Sequence, residues 1–171
     1  TTLPEVMALI RNNSLKVDDF EKFNSIAIGP GFGIEKNNEE LVEKIINLQK
    51  PLIIDADALT ILSRRIDLLN KIPAQSILTP HMKEFDRLFG EHKTWWERIL
   101  TARKKAKELA LIIVLKNQYT FICSPSGDVY INTSGNPSMA SGGMGDTLTG
   151  IIAALIAQNY TAEEAAILGI Y

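Results

Sequence analysis

Few residues of the kind that announce an enzyme's chemistry occur here. Of 171 residues, one is cysteine and two are histidine. A single cysteine forms no internal disulfide, which fits a reducing compartment. Cys123 sits in the apolar run Thr120-Phe121-Ile122-Cys123 and reads as a buried structural thiol, because nothing near it in sequence lowers its pKa. Two histidines without a cysteine cluster make no zinc site. A formal net charge of −2 carries no excess of either sign, so no polyanion-binding surface and no nucleic-acid partner are expected. The basic run Arg103, Lys104, Lys105, Lys107 falls in a helical stretch and reads as its solvated face. The longest apolar run, Ile151 to Ala157, is far short of the roughly 20 residues that span a bilayer. With no signal peptide visible, the chain reads as cytoplasmic, without a membrane partner. There is no phosphate loop ending in Gly-Lys-Ser/Thr, no serine nucleophile elbow, no metalloprotease helix, no repeat and no low-complexity segment.

What the sequence does have is core. At 46% hydrophobic residues it buries one sizeable interior, and residues 1–171 read as a single domain. Short runs at Ile26–Ile28, Pro51–Asp55, Ser76–Leu78 and Leu111–Leu115 read as buried strands and alternate with segments of helical period. In one of these, Asn37 and Asn38 supply cap chemistry ahead of Glu39 and Glu40. In another, Trp95, Ile99, Ala102, Ala106 and Leu109 form an apolar stripe. Residues 119–124 and 129–132 flank Pro125-Ser126-Gly127-Asp128, a hairpin signal. Asp146 to Gln158 is apolar nearly all round and predicts a buried helix; Thr161 caps the next one. The alternation predicts an α/β/α sandwich, with a mostly parallel sheet, helices on both faces and an antiparallel edge hairpin. The chain opens at Thr1 without an initiator methionine and stops at Tyr171 within a helical pattern. The expectation is therefore a fragment lacking amino-terminal strands and the carboxyl-terminal end, inactive or poorly soluble when made alone.

Candidate chemistry collects at the predicted carboxyl ends of strands, where open α/β sheets bind ligands. In Asn136-Pro137-Ser138-Met139-Ala140-Ser141-Gly142-Gly143-Met144-Gly145-Asp146, glycines directly precede a long helix. They let a ligand approach the backbone, and the first-turn N–H groups with the helix dipole suit a phosphate. Asp146 at the mouth of that site is a candidate base for an attacking hydroxyl, or simply a helix cap. Gly29-Pro30-Gly31-Phe32-Gly33 is a second ligand-facing turn, or only a tight strand-to-helix connection. Of Asp55 and Asp57, one caps the following helix, a role that suits Asp57, and the other faces the crevice. His81 and Glu84, three apart, share a helix face; Glu84 suits Mg²⁺ shared with substrate phosphates. His92 lies in a polar loop and suggests no role. Lys116, ending the fourth strand, is placed to neutralise a phosphate or to be an ordinary strand-end lysine.

Taken together these residues resemble the NAD(P)H-hydrate dehydratase family, a branch of the ribokinase-like superfamily. Gly142-Gly143-Met144-Gly145-Asp146 is similar to the superfamily's anion-hole and catalytic-aspartate motif. Asn136 to Ser141 before it and Leu148 to Leu155 after it are similar to this branch. Leu3-Pro4-Glu5-Val6-Met7, Gly29 to Gly33, Asp55-Ala56-Asp57-Ala58-Leu59 and Thr79-Pro80-His81 with Glu84-Phe85 follow its landmarks in order. The resemblance implies a ribokinase-like fold and a lyase of nicotinamide nucleotide repair. The substrate implied is NADH or NADPH hydrated at C6 of the ring, in the S form, phosphorylated by ADP or ATP and then dehydrated. By the same resemblance Asp146 is the catalytic base. Gly31, Gly33 and His81 contact the hydrated dinucleotide. Gly143 and Gly145 with Lys116, Asn117, Gln118, Tyr119 and Thr120 hold the adenosine nucleotide, and Glu84 organises Mg²⁺, directly or through water. A homo-oligomer is implied, as is a possible fusion to an epimerase domain. Asn117 and Met144 depart from the family's usual Gly and Thr. Two other readings stay open: a vitamin kinase of the same fold acting on a hydroxyethylthiazole or hydroxymethylpyrimidine, and a truncated non-catalytic module.

Overall fold

The computed structural model describes residues 20–133 and 143–171. Six strands form one sheet in sequential order: β1 (Ile26–Ile28), β2 (Leu52–Ile54), β3 (Ile77–Leu78), β4 (Ile112–Leu115), β5 (Thr120–Cys123) and β6 (Val129–Asn132). β1 to β4 pair in parallel, and β5 and β6 add antiparallel at one edge. Helices α1 (Lys36–Ile46), α2 (Ala56–Arg64), α3 (Met82–Phe89) and α4 (Trp95–Leu109) follow or link the parallel strands; α5 (Met144–Ala157) and α6 (Ala162–Ile170) close the chain.

The strands read as continuous Ile/Leu/Val runs because both faces of the sheet are covered. On one face Leu52, Ile54 and Leu78 pack with Val42, Ile45 and Leu59 of α1 and α2. Further along that face Ile113, Leu115 and Phe121 pack with Phe85, Ile99 and Ala102 of α3 and α4. The alternate residues Ile53, Ile77, Ile112, Val114 and Ile122 meet Ile152, Ala165 and Ala166 of α5 and α6. The three layers and the edge hairpin are those expected. Cys123 is buried, and burial pushes its thiol up to about 12, which suits an inert core residue. The basic run is a solvated face, with Lys104 and Lys105 paired to Glu108.

Four local readings need correction. α1 starts one residue after Glu35, so Asn38 lies inside its first turn, where its Nδ2 donates to the Phe32 carbonyl at 2.6 Å and to Glu35 at 2.7 Å. Asp55, not Asp57, caps α2, its carboxylate accepting from the Ala56 N–H at 2.9 Å. Trp95 is 54% exposed and stacks on Phe121 at the rim of the α4 stripe. Among the described residues, α5 buries only Thr149 and Ile152, leaving Ile151 45% exposed, so the all-round apolar pattern overstated its burial.

A polar clamp ties α3 to α4. Arg98 grips Asp86 with two nitrogens, at 2.9 and 2.6 Å. His92 bridges Asp86 and Thr101, at 2.9 Å to each. Burial opposes the charge on Asp86, but the hydrogen bonds from Arg98 and His92 outweigh it and hold this carboxyl below the usual range.

Candidate active site

The carboxyl ends of β1 to β4 bring Gly29, Asp55, Thr79 and Lys116 to one edge of the sheet. Gly29 adopts φ +132°, and a Cβ there would lie 1.7 Å from the Asp55 carbonyl oxygen, so the chain turns away from β1 with its backbone against β2. The turn continues through Pro30, Gly31 and Phe32. Gly31 (φ +60°) and Gly33 (φ +81°) both use the left-handed region. The Gly33 N–H donates to Asp57 at 2.9 Å, which fixes the turn to the start of α2. Here lies the role of Asp57, in place of the cap expected of it.

α5 approaches the same edge from the opposite layer. Gly143, in the left-handed region at φ +92°, precedes its first turn, and its carbonyl accepts from the Thr147 N–H at 3.0 Å. Asp146 therefore stands in the first turn, where the helix dipole and N–H groups favour an anion. With Thr149 and Gly150 it forms one wall of a cleft of about 480 Å³; Gly29, Pro30, Gly31 and Phe32 form the other. Phe20, Leu41 and Ile45 give the cleft an apolar end. The structure thus joins Asp146 and Gly31 across one cavity, although 115 positions separate them in the chain.

Beneath the first turn of α5 lies a partly buried ion pair. Lys116 Nζ donates to Asp55 Oδ1 at 2.8 Å, and Thr149 Oγ1 donates to Asp55 Oδ2 at 2.9 Å. Gly145 packs directly on it: a Cβ there would sit 3.2 Å from Lys116 Nζ and 3.6 Å from Asp55 Oδ2. A side chain at Gly145 would press on the lysine where α5 meets it. Lys116 pairs beside His81 through its N–H, which donates to the Pro80 carbonyl at 2.9 Å. Asn117, Gln118 and Tyr119 make the exposed turn from β4 into Thr120, the first residue of β5. Asn117 keeps a negative φ, so it occupies its turn without backbone strain.

His81 does not share a helix face with Glu84; it caps α3. Its Nδ1 accepts from the Lys83 and Glu84 N–H groups at 3.1 and 3.3 Å. Glu84 returns the bond, accepting from the His81 N–H at 2.9 Å. This is a capping box with histidine in the cap position. The arrangement fixes the tautomer: Nδ1 accepts, so the proton sits on Nε2, 3.3 Å from the second Glu84 oxygen. Both Glu84 oxygens are engaged, and among the described residues no three His, Cys, Asp or Glu side chains gather around a common point. Mg²⁺ retains several waters and takes one or two carboxylates with substrate phosphates. Glu84 fits such an ion through a water molecule and not as a direct ligand. Thr79, buried and level with Asp55, has no partner for its hydroxyl among the described residues.

Gly142, the stretch Asn136 to Ser141 and Leu3 to Met7 lie outside the described residues. Sequence reasoning treated Asp55 only as a cap or crevice residue and gave Thr149 no part; contacts across 61 and 94 positions leave no local signal.

Fold and site together place the chain among the ribokinase-like α/β proteins. A ribokinase-like superfamily protein of known structure from Enterococcus faecalis is similar, with TM-score 0.75 and 32% identity over 88% of this chain and 54% of that one. The NAD(P)H-hydrate dehydratase family model matches residues 1–171, and the chain belongs to that family. It is 40% identical, over 85% of its length, to the bifunctional NAD(P)H-hydrate repair enzyme Nnr of Thermofilum pendens. It is also similar to the ADP/ATP-dependent NAD(P)H-hydrate dehydratase of Bacillus subtilis crystallised with ATP/Mg²⁺, with TM-score 0.73 and 32% identity over 88% of this chain and 54% of that one. The chain spans 28% of the length of the Thermofilum relative. No described helix is long and apolar enough to cross a membrane.

Proposed function

We propose that this chain carries the dehydratase site of a nicotinamide nucleotide repair enzyme, a lyase that restores the S form of hydrated NADH or NADPH with consumption of ADP or ATP. The observation that carries the reading is Asp146 in the first turn of α5, facing the Gly29–Phe32 turn across a cleft of about 480 Å³. Such a cavity has the size of a small-molecule site and joins an apolar end to an anion-binding helix terminus.

In this reading the C6 hydroxyl of the hydrated ring lies against Asp146. The carboxylate takes its proton as the hydroxyl oxygen bonds to the terminal phosphorus of the nucleotide, and the bond from that phosphorus to the bridging oxygen breaks. AMP leaves when ADP is the donor, and ADP leaves when ATP is. The lone pair of the ring nitrogen then expels phosphate from C6, and loss of a proton from C5 restores the dihydropyridine. Phosphorylation converts hydroxide, a poor leaving group, into phosphate. The first-turn N–H groups at Gly143 to Asp146 and the Lys116 ammonium stabilise charge on the transferring group. Gly31, Gly33 and His81 border the dinucleotide, and the 116–120 turn flanks the adenosine. Mg²⁺, held through water by Glu84, offsets phosphate charge when bound.

A companion epimerase that interconverts the two hydrate epimers, a cytoplasmic location and a homo-oligomeric assembly complete the proposal; gel filtration with light scattering tests the last. The direct test is incubation of the full-length protein with hydrated NADH, Mg²⁺ and ADP or ATP, following the return of 340 nm absorbance. Recovery of NADH with release of phosphate supports the reading. Phosphorylation of hydroxyethylthiazole without action on the hydrate contradicts it.

A further inference from the structure

We propose that Asp55 is a positioning residue for phosphoryl transfer, holding Lys116 against the first turn of α5. The inference rests on the proposed function but on separate observations. Asp55 needs only one oxygen, accepting from the Ala56 N–H, to cap α2, and asparagine caps a helix as well as aspartate does. Yet its side chain is 2% exposed and both oxygens take further partners from other elements. Oδ1 accepts from Lys116 at the end of β4, and Oδ2 accepts from Thr149 in the second turn of α5. One buried carboxylate thus links β2, β4 and α5 under the helix terminus.

The lysine explains why the link requires a charge. Its flexible four-carbon stem would otherwise let the ammonium swing into solvent. Held by Asp55, the ammonium stays beside Gly145, so close that a Cβ there would lie 3.2 Å from it. A cation fixed in advance of the reaction stabilises a transferring phosphoryl group without reorganising. The same carboxylate partly neutralises the lysine, so the pair favours turnover over ground-state affinity for an anionic nucleotide.

The experiment uses the full-length protein with Asp55→Asn, Lys116→Met and the double variant. Turnover of hydrated NADH should fall by about 10²-fold in each single variant, the lower end of what losing one preorganised donor costs, with the nucleotide KM of Asp55→Asn unchanged or lower. The double variant should be no slower than the slower single, because both remove one interaction. A second readout is independent of substrate: acylation of lysines by an amine-reactive ester, followed by peptide mass spectrometry. Asp55→Asn should raise labelling of Lys116 several-fold and leave Lys104 unchanged. If Asp55→Asn fails to fold, Lys116→Met and Thr149→Val run the same turnover cycle, since both contact this carboxylate. Multiplying turnover losses, or Lys116 labelling unchanged in a folded Asp55→Asn protein, overturns the proposal. A wild-type protein inactive on the hydrate overturns the dehydratase reading instead, and the labelling result then decides the role of Asp55 alone.

Discussion

Gly29 and Asp55 pack backbone to backbone, so closely that a Cβ on Gly29 would lie 1.7 Å from the Asp55 carbonyl oxygen. This contact sets the angle at which the chain leaves β1 and therefore where the cleft opens. Gly29→Ala should destabilise the protein by about 3 kcal/mol or more, at or beyond the upper end of ordinary overpacking. Gly31→Ala, with nothing within 4 Å of the added methyl, should cost about 1–2 kcal/mol from its left-handed φ alone. Denaturant melts of the two variants compare them; equal losses would show that the contact does not govern the turn.

The capping box makes a separate prediction at the neighbouring strand end. Glu84→Gln retains an oxygen for the His81 N–H but removes the charge, so stability should change little while the Mg²⁺ concentration needed for half-maximal activity rises. His81→Ala removes the cap and should cost about 1 kcal/mol, and it should weaken binding of the hydrated dinucleotide more than binding of ADP. Calorimetric titration of both ligands on each variant measures this. Equal, small effects on both ligands would leave these residues only the task of starting α3.

The α3–α4 clamp should give a pH-dependent stability. The Asp86 carboxyl is held below its ordinary range, with Arg98 and His92 outweighing burial. A group depressed in the folded state contributes stability that is complete above its unfolded value, near 4, and is lost as pH falls through the folded value. Asp86→Asn should therefore be less stable than wild type by about 1–3 kcal/mol at neutral pH, a difference that shrinks only below about pH 4. Thermal melts from pH 7 to 3 test the sign; a difference constant across the range would contradict it.

The sheet was legible because its information is local. The short Ile/Leu runs at β2 and β4, bounded by turn residues, read as strands covered on both faces, and the Pro125–Asp128 turn announced the hairpin. Glycines ahead of α5 likewise marked the helix terminus and Asp146. Partnerships were not legible. That Asp57 serves the Gly33 N–H while Asp55 caps α2 depends on how β1 and β2 lie side by side, and no spacing encodes it. His81 and Glu84 stand at the separation of a capping box, but histidine is an uncommon cap, and a shared helix face was the more usual reading of an i,i+3 pair. Trp95 fits the α4 periodicity and still escapes burial, since it is the first residue of the helix and stacks on Phe121 at the rim.

The central claim is that Asp146 takes a proton during phosphoryl transfer. Gly143, not Asp146, occupies the cap position of α5, so the cap role expected of Asp146 does not apply; asparagine nearly matches aspartate in size but accepts no proton at neutral pH. The most direct measurement is turnover of hydrated NADH by full-length Asp146→Asn, together with its nucleotide dissociation constant. Loss of general-base assistance should slow turnover by about 10²–10⁴-fold, while nucleotide affinity holds or rises as a negative charge leaves the phosphate site. Near-normal turnover would contradict the account and leave Asp146 only a residue of the first turn of α5.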